Sequence, residues 1–119
     1  MEILKVANEI QKKIAELEKA KDHLKERSEK KAETASEYEK AIAVTMIKLK
    51  NGRKMELDGE EIVNPLATII EKIARGICYK EKLEMDKAEA EYKSLITYIS
   101  TVESILNGWQ SINKYLQDK

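Results

Sequence analysis

The side chains that most often carry chemistry are scarce in this sequence, and each lacks the partners that a site requires. His23 is the only histidine and lies between Asp22 and Leu24 in a highly charged stretch. General base catalysis needs a positioned nucleophile or carboxylate in a pocket that excludes water, and zinc needs several His or Cys ligands. We therefore expect a solvated histidine without a catalytic role, and no metal site.

The single cysteine, Cys78, cannot form a disulfide within the chain. It follows Ile77 on the apolar side of a helical pattern, and no histidine lies near it in the sequence to activate its thiol. We expect a small buried side chain. One unpaired thiol, with no apolar N-terminal run typical of a signal peptide, predicts a cytoplasmic protein.

Acidic residues are abundant but do not have the spacing of a catalytic or metal site. Glu81, Lys82, Glu84 and Asp86 mix both signs and predict an exposed helix face, because a di-metal site in a bundle needs Glu-x-x-His motifs. No glycine-rich run precedes a helix, so a phosphate-binding loop is not predicted. We interpret the chain as a non-enzyme that uses no cofactor.

Two groups of residues are better candidates for binding. Gly76 lies inside a helical pattern, where glycine costs about 1 kcal/mol relative to Ala, and Arg75 and Tyr79 beside it share a helix face. These two side chains could hold an anionic or planar group, although a tight helix crossing explains the glycine more simply. Trp109 and Tyr115 are either anchors of a protein interface or the packing at the end of a bundle.

Two long helices must position these residues. The first is predicted over residues 2–49, because apolar residues recur at the heptad spacing of a coiled coil. Since several polar residues fall on this seam, we expect the helix to be mostly exposed beyond Leu24. The predicted seam comprises Ile3, Ala7, Ile10, Ile14, Leu17, Lys21, Leu24, Ser28, Lys31, Ala35, Tyr38 and Ile42.

The second helix is predicted over residues 64–117, with Asn64 as its N-cap and Pro65 at the first helical position. It has the strongest heptad pattern in the chain and is expected to continue through Asn107 and Gly108. Its seam comprises Met85, Ala88, Tyr92, Leu95, Ile99, Val102, Leu106, Trp109, Asn113 and Leu116. The central part, Tyr92, Leu95, Ile99, Val102 and Leu106, is the predicted self-association seam.

The connector, residues 50–63, has two open interpretations. Alternating runs over residues 44–49 and 54–58 flank Asn51 and Gly52, which is a signal for a β-hairpin. Alternatively, the first helix continues to Leu49, and Asn51 and Gly52 end it before an irregular loop.

These elements predict an all-α fold of one domain, residues 1–119, in which two long antiparallel helices form a coiled-coil-like helical hairpin. The second helix carries apolar residues outside its seam, namely Ile69, Ile96, Tyr98, Ile105 and Ile112. Pairing two hairpins into a four-helix bundle would bury these side chains. We therefore expect a homo-oligomer.

The charge balance restricts the class of partner. Lys and Arg together number 22, as do Asp and Glu, and the two signs are interleaved along the chain. A protein that holds phosphates normally shows a basic excess or a basic face. We expect no direct contact with nucleic acid or membrane, and a protein as the main partner.

Three stretches carry a resemblance to a known group of proteins: residues 38–52 (YEKAIAVTMIKLKNG), 69–76 (IIEKIARG) and 106–112 (LNGWQSI). They resemble small uncharacterised coiled-coil proteins of Gram-positive bacteriophages and prophages. The resemblance implies stoichiometric binding to a host or phage protein, including inhibition of a host defence system. An accessory role in phage DNA replication or recombination is the alternative that it leaves open. A rival hypothesis from the residues is sequestration of a small anionic ligand by Arg75 and Tyr79 at a subunit boundary.

Overall fold

The computed structural model describes residues 2–118 of the chain. The protein is mostly helical, as predicted, with a short two-stranded connector, and it packs as two units: unit 1 (residues 1–28 and 90–119) and unit 2 (residues 29–89). The elements in order are α1 (Ile3–Lys50), β1 (Met55–Leu57), β2 (Glu60–Ile62), a 3₁₀ turn (Ala67–Ile69), α2 (Ile70–Ile77) and α3 (Tyr79–Gln117).

Unit 1 is a pair of helix segments with an apolar seam. Its core comprises Leu17 and Ala20 from α1 and Leu95, Ile99 and Val102 from α3. The two segments run antiparallel, because Ala20 lies beside Leu95, whereas Arg27, further along α1, donates a hydrogen bond to the Glu91 carbonyl oxygen at 3.1 Å.

In unit 1 the predicted α1 seam is buried or half-buried at five of its eight positions, and it is offset by one residue at Lys21 and Ser28. Leu17 is buried as predicted, but Lys21 and Ser28 are exposed, and their preceding neighbours Ala20 and Arg27 face inward. A small side chain fits where two helices approach, and Arg27 finds a backbone acceptor. Seam positions are therefore not all apolar.

Unit 2 has a second apolar core, formed by Tyr38, Ile42, Leu49, Ile70, Ala74 and Cys78. Beyond Leu24, most α1 residues are exposed, as expected, but the inward face buries Tyr38 and Leu49 almost completely. Two buried threonines complete this face. Thr34 donates its hydroxyl hydrogen to the Lys30 carbonyl at 2.9 Å, so its polar group is satisfied within the helix.

Asn51 and Gly52 end α1, as the second interpretation of the connector predicts. Gly52 has a φ of +78°, its N–H donates to the Leu49 carbonyl, and the Arg53 N–H donates to the Lys48 carbonyl at 3.1 Å. This pair of bonds is a Schellman motif, in which a left-handed glycine closes the last helical turn. The other interpretation, a hairpin over residues 44–58 around Asn51 and Gly52, is therefore wrong.

A β-hairpin does form, centred seven residues later. Asp58 (φ 51°) and Gly59 (φ 81°) make its two-residue turn, and Met55 pairs with Ile62 in antiparallel register. Two positive φ angles define a type I′ turn, which Asp-Gly favours because its twist matches that of the strands. Met55 and Ile62 pack against the core of unit 2.

The predicted second helix, residues 64–117, is interrupted. Asn64 has a φ of 46° and cannot act as an N-cap, which requires extended backbone, and the first helical turn begins only at Ala67. A further break falls at Cys78 (φ −89°, ψ 26°), between α2 and α3. Because the Cys78 N–H still donates to Ala74 and its carbonyl still accepts from Lys82, the break is confined to one residue.

Candidate interaction surface

The part of α3 that lies in unit 1 has almost no charge. Between Ser94 and Asn113 the only charged residue is Glu103, although 37% of the chain is charged. The α1 segment of the same unit is the opposite, since nearly half of residues 3–28 are charged. Depletion of charge is the main compositional mark of the centre of a protein interface.

Exposed apolar side chains lie along one face of this segment. Spacings of three and four place them on one side of the helix, where they form a second heptad row beside the buried seam. We call this row the α3 surface: Tyr98, Thr101, Ile105, Gly108, Ile112 and Tyr115. All six residues are exposed. The Thr101 hydroxyl donates to the Thr97 carbonyl at 3.0 Å, so that the donor needs no partner outside the helix.

Ile96 and Glu103 lie on other sides of α3. Ile96 is as exposed as Ile105, at 42% and 43%, but nine residues separate them, which is a rotation of about 180°. The sequence pattern grouped Ile96 with Tyr98, Ile105 and Ile112, whereas helix geometry separates it from them. Ile96 is therefore a matched reference position for the α3 surface.

The residues predicted to form the self-association seam lie in the core of unit 1. Leu95, Ile99 and Val102 are buried against Leu17 and Ala20 of the same chain, with Leu106 at the edge of the cluster. Tyr92, the first residue of that seam, is half-buried. Since α1 covers this face of α3, the neighbouring α3 surface is the face that a second molecule can reach.

The two aromatic residues near the end of α3 differ in exposure. Trp109 continues the buried seam and is half-buried, whereas Tyr115 is 60% exposed and belongs to the α3 surface. Trp109 thus has the position of a packing residue, and Tyr115 that of an interface residue.

Gly76 and its neighbours lie in unit 2, next to the hairpin. A Cβ atom on Gly76 would lie 3.2 Å from Leu57 Cδ2, so the glycine allows β1 to approach α2 closely. Tyr79 is exposed and lines a shallow groove with Leu57, Asp58 and Gly76.

The Arg75 guanidinium forms hydrogen bonds with side chains of unit 2. Its Nη2 donates to Glu71 Oε1 at 2.7 Å, and its Nη1 donates to the Tyr38 hydroxyl at 3.5 Å. These two hydrogen bonds, with Glu71 first, raise the pKa of Arg75 above its ordinary value. Both are contacts within unit 2, and they hold the guanidinium as part of the packing around Tyr38.

A groove of about 530 Å³ lies between the two segments of unit 1. One wall is on α1 and the other on α3, and the charged and polar lining residues are Glu16, Lys19, His23, Arg27, Ser94 and Tyr98. His23 Nδ1 lies 3.6 Å from Glu26 Oε2, and both side chains are exposed. Among the described residues, no hydrogen bond joins His23 to Ser94, which lies on the opposite wall of the groove.

The thiol of Cys78 is buried, as predicted, with 3% of the residue exposed. Its Sγ lies 3.4 Å from Thr45 Oγ1. Within residues 2–118, no three His, Cys, Asp or Glu side chains cluster closely enough to hold a metal ion. None of the helices in this range combines the length and apolarity needed to cross a membrane.

Comparison with known proteins assigns this chain to no family. No protein-family model, curated protein or solved structure matches this chain. The resemblance to phage coiled-coil proteins therefore stays a prediction.

Proposed function

We propose that this protein is a non-enzymatic helical interaction protein that binds another protein in fixed stoichiometry through the α3 surface. The observation that carries the proposal is a row of exposed Tyr and Ile side chains within a nearly uncharged stretch of a highly charged chain. Large exposed apolar patches mark binding sites, and Tyr is enriched at the residues that dominate binding energy.

The proposal includes self-association. Pairing of two chains through their α3 surfaces would bring four helix segments together, which is the four-helix bundle expected from the apolar surplus of α3. The phage resemblance indicates what kind of further partner to expect. This partner is a host protein, such as a component of a defence system, or a phage replication protein.

A pair of matched variants tests the surface. Ile105→Asp places a charge in the α3 surface, and Ile96→Asp places the same charge at equal exposure on the opposite side of the helix. Purified proteins are immobilised and exposed to a Gram-positive lysate, and each retained protein is then titrated against the soluble chain by calorimetry. We expect a defined stoichiometry, with binding retained in Ile96→Asp and lost in Ile105→Asp. Equal binding by both variants would contradict the proposal.

A second candidate function, sequestration of a small anionic ligand, is favoured by the groove of unit 1. Lys19 and His23 line it with Tyr98, which offers an aromatic face. Glu16 also lines the groove, and Arg27, which lines it too, donates one hydrogen bond to the Glu91 carbonyl oxygen. The groove replaces Arg75 and Tyr79 as the place for such a ligand, because Arg75 bonds to Glu71 and Tyr38.

Thermal melts distinguish the two functions. A nucleotide that binds the groove should raise the melting temperature of the wild-type chain, and Lys19→Ala should reduce that rise. Lys21→Ala, an exposed position outside the groove, is the control. An unchanged melting temperature in millimolar nucleotide would remove the second candidate and leave the first untouched.

A further inference from the structure

The groove beside Gly76 lies between the β-hairpin and the helices of unit 2. Its volume is about 450 Å³, and its lining comprises Leu57, Asp58, Gly76 and Tyr79. Because Gly76 has no side chain, Leu57 packs directly against it. The same packing brings Asp58, the next residue of the hairpin, to the groove that Tyr79 lines. A carboxylate and an aromatic ring that are far apart in the sequence thus line one groove.

The structure reverses the sign of the charge expected beside Tyr79. In the sequence, Arg75 lies one helical turn before Tyr79, and this pair predicts an anionic or planar ligand. In the fold, the Arg75 guanidinium donates to Glu71 and Tyr38, and the charged side chain that lines the groove is Asp58. A carboxylate repels anions and attracts cations. The groove therefore fits a cationic group.

The two tyrosines of unit 2 differ in their partners. Lys82 Nζ lies 5.8 Å from the centre of the Tyr38 ring, and the Tyr38 hydroxyl accepts a hydrogen bond from Arg75. Within residues 2–118, the Tyr79 side chain has no such ring contact or hydrogen bond, and Asp58 forms no ion pair. Tyr38 thus already holds a cation of its own chain, whereas the ring of Tyr79 is open to a cation from outside.

The charges around the groove favour the same class of ligand. Residues 55–62 of the hairpin include four acidic residues and no basic residue. One of the four, Glu61, lies 3.8 Å from Lys54, measured between Oε1 and Nζ. Lys72 and Lys80 lie one helical turn before and after the glycine, but neither of them lines the groove. The charged group at the groove itself is therefore a carboxylate.

We infer that this groove binds the side chain of a lysine or arginine on a partner protein. The cation lies over the ring of Tyr79 and beside the carboxylate of Asp58, since a tyrosine face attracts a cation within about 6 Å of its centre. The aliphatic stem of the lysine or arginine covers the exposed part of Leu57, in the way that such stems commonly lie along apolar surface.

A side chain of a protein is the favoured source of the cation, because the groove is shallow and offers one carboxylate and one ring. Exposed contacts of these two kinds contribute little each, so a free amine would bind weakly, whereas a side chain adds its contact to a larger interface. The inference goes beyond the proposed function, because the groove belongs to unit 2 and none of its residues is part of the α3 surface.

Two capped peptides test the charge of the ligand. One has a single lysine between glycines, and the other has norleucine at that position, which lacks the ammonium group. Amide resonances of the full chain are followed by NMR at about 10 mM salt, where screening is weak. We expect the lysine peptide to shift the Gly76 and Tyr79 resonances with a dissociation constant in the millimolar range, and the norleucine peptide to leave them in place. No shift with the lysine peptide at about 20 mM would overturn the inference.

A matched pair of variants tests the carboxylate. Asp58→Asn removes the charge and keeps the hairpin, because Asn-Gly favours a type I′ turn as Asp-Gly does. Glu60→Gln removes the same charge from an exposed hairpin position outside the groove. Asp58→Asn should weaken binding of the lysine peptide by about 3-fold or more, and Glu60→Gln by less than about 1.5-fold. Equal weakening by both variants would mean attraction to the whole hairpin and would overturn the site.

Tyr79→Leu tests the ring, because it keeps an apolar side chain and removes the aromatic face. It should weaken binding of the lysine peptide by about 2-fold or more, with the helicity of the wild type in circular dichroism. Binding as tight as that of the wild type would overturn the role of the ring. Butylammonium, which has the same cation and stem, should bind no more tightly than the peptide, and tighter binding would overturn the protein source. Since no variant changes the α3 surface, failure here leaves the proposed function intact.

Discussion

Gly76 and Gly108 both lie inside helices, and both would be costly there unless close packing compensates. Next to Gly76, the side chain of Leu57 occupies the space where a Cβ atom would stand, at 3.2 Å. Next to Gly108, nothing lies within 4 Å. One glycine is thus explained by the chain's own hairpin, whereas the other stands in open space. The difference shows how glycines inside two helices can have different surroundings, since close packing surrounds one in unit 2 and open space surrounds the other in unit 1.

The largest contrast should appear between a core residue and an exposed residue of similar size. Leu49→Ala removes a side chain that is 1% exposed in unit 2, and the cavity should lower the free energy of unfolding by about 2–5 kcal/mol. Ile105→Ala should change it by less than about 0.5 kcal/mol in dilute solution, where the chain is monomeric. Urea unfolding followed by circular dichroism measures both. A large loss for Ile105→Ala would mean that the α3 surface is packed within the chain.

Leu57→Ala should sharpen the explanation of Gly76. The loss of a half-buried leucine should cost about 1–2 kcal/mol, and it also empties the space beside the glycine. Gly76→Ala should therefore be better tolerated in the Leu57→Ala background than in the wild type, by about 0.5–1 kcal/mol in a double-mutant cycle. Strict additivity of the two substitutions would break the proposed link between hairpin and helix.

Gly108→Ala should separate the two glycines directly. With open space around it, alanine should stabilise the monomer by about 0.5–1 kcal/mol through helix propensity alone. Gly76→Ala gains the same propensity but crowds Leu57, so its net stabilisation should be smaller. Thermal melts at low protein concentration compare the two variants, and an equal gain at both positions would remove the distinction between them.

The smallest effect is expected at the ion pair of Arg75 with Glu71. Both side chains are about half exposed, and solvent screens such a pair, so Glu71→Gln should shift the melting temperature little. A raised arginine pKa contributes stability that is fully present below the ordinary arginine range and is lost only above it. Arg75 should therefore add no pH dependence between pH 5 and 9, which melts across this range can check.

Much of the fold follows from heptad spacing. The α3 seam from Met85 to Leu116 is buried or half-buried at every predicted position, and the helix continues through Asn107 and Gly108 as expected. The α1 seam was harder to predict, because Ala20, Arg27 and Thr34 occupy inward positions that an apolar pattern does not mark. These residues are tolerated at inward positions because another helix lies close or because a backbone carbonyl accepts their hydrogen bond. Only the tertiary structure shows either condition.

The connector shows a different limit. Asn51-Gly52 and Asp58-Gly59 are both hairpin signals, and both pairs place glycine at positive φ. Only the second forms a two-residue hairpin turn, since burial of Thr45 and Leu49 in unit 2 keeps α1 helical to Lys50 and leaves the first pair as its cap. The interruption at Cys78 has no clear signal in the sequence beyond the glycine two residues earlier.

The candidate surface was partly visible in the sequence. Tyr98, Ile105 and Ile112 stood out as apolar residues beyond the seam, but the absence of charge around them is a feature that hydrophobic periodicity does not measure. A count of charged residues along α3 would have found it. Which side of α3 faces α1, and therefore which side is left over, required the structure.

The uncharged character of the α3 surface also determines how fast a partner can be captured. Association without electrostatic steering proceeds at about 10⁵–10⁶ M⁻¹s⁻¹ and depends little on salt, in contrast to the accelerated encounters of oppositely charged proteins. Encounter is then a random search, and the lifetime of the complex, set by how well Tyr and Ile side chains pack, decides which partner is kept. The protein would discriminate by residence time, and high salt would leave its choice of partner unchanged.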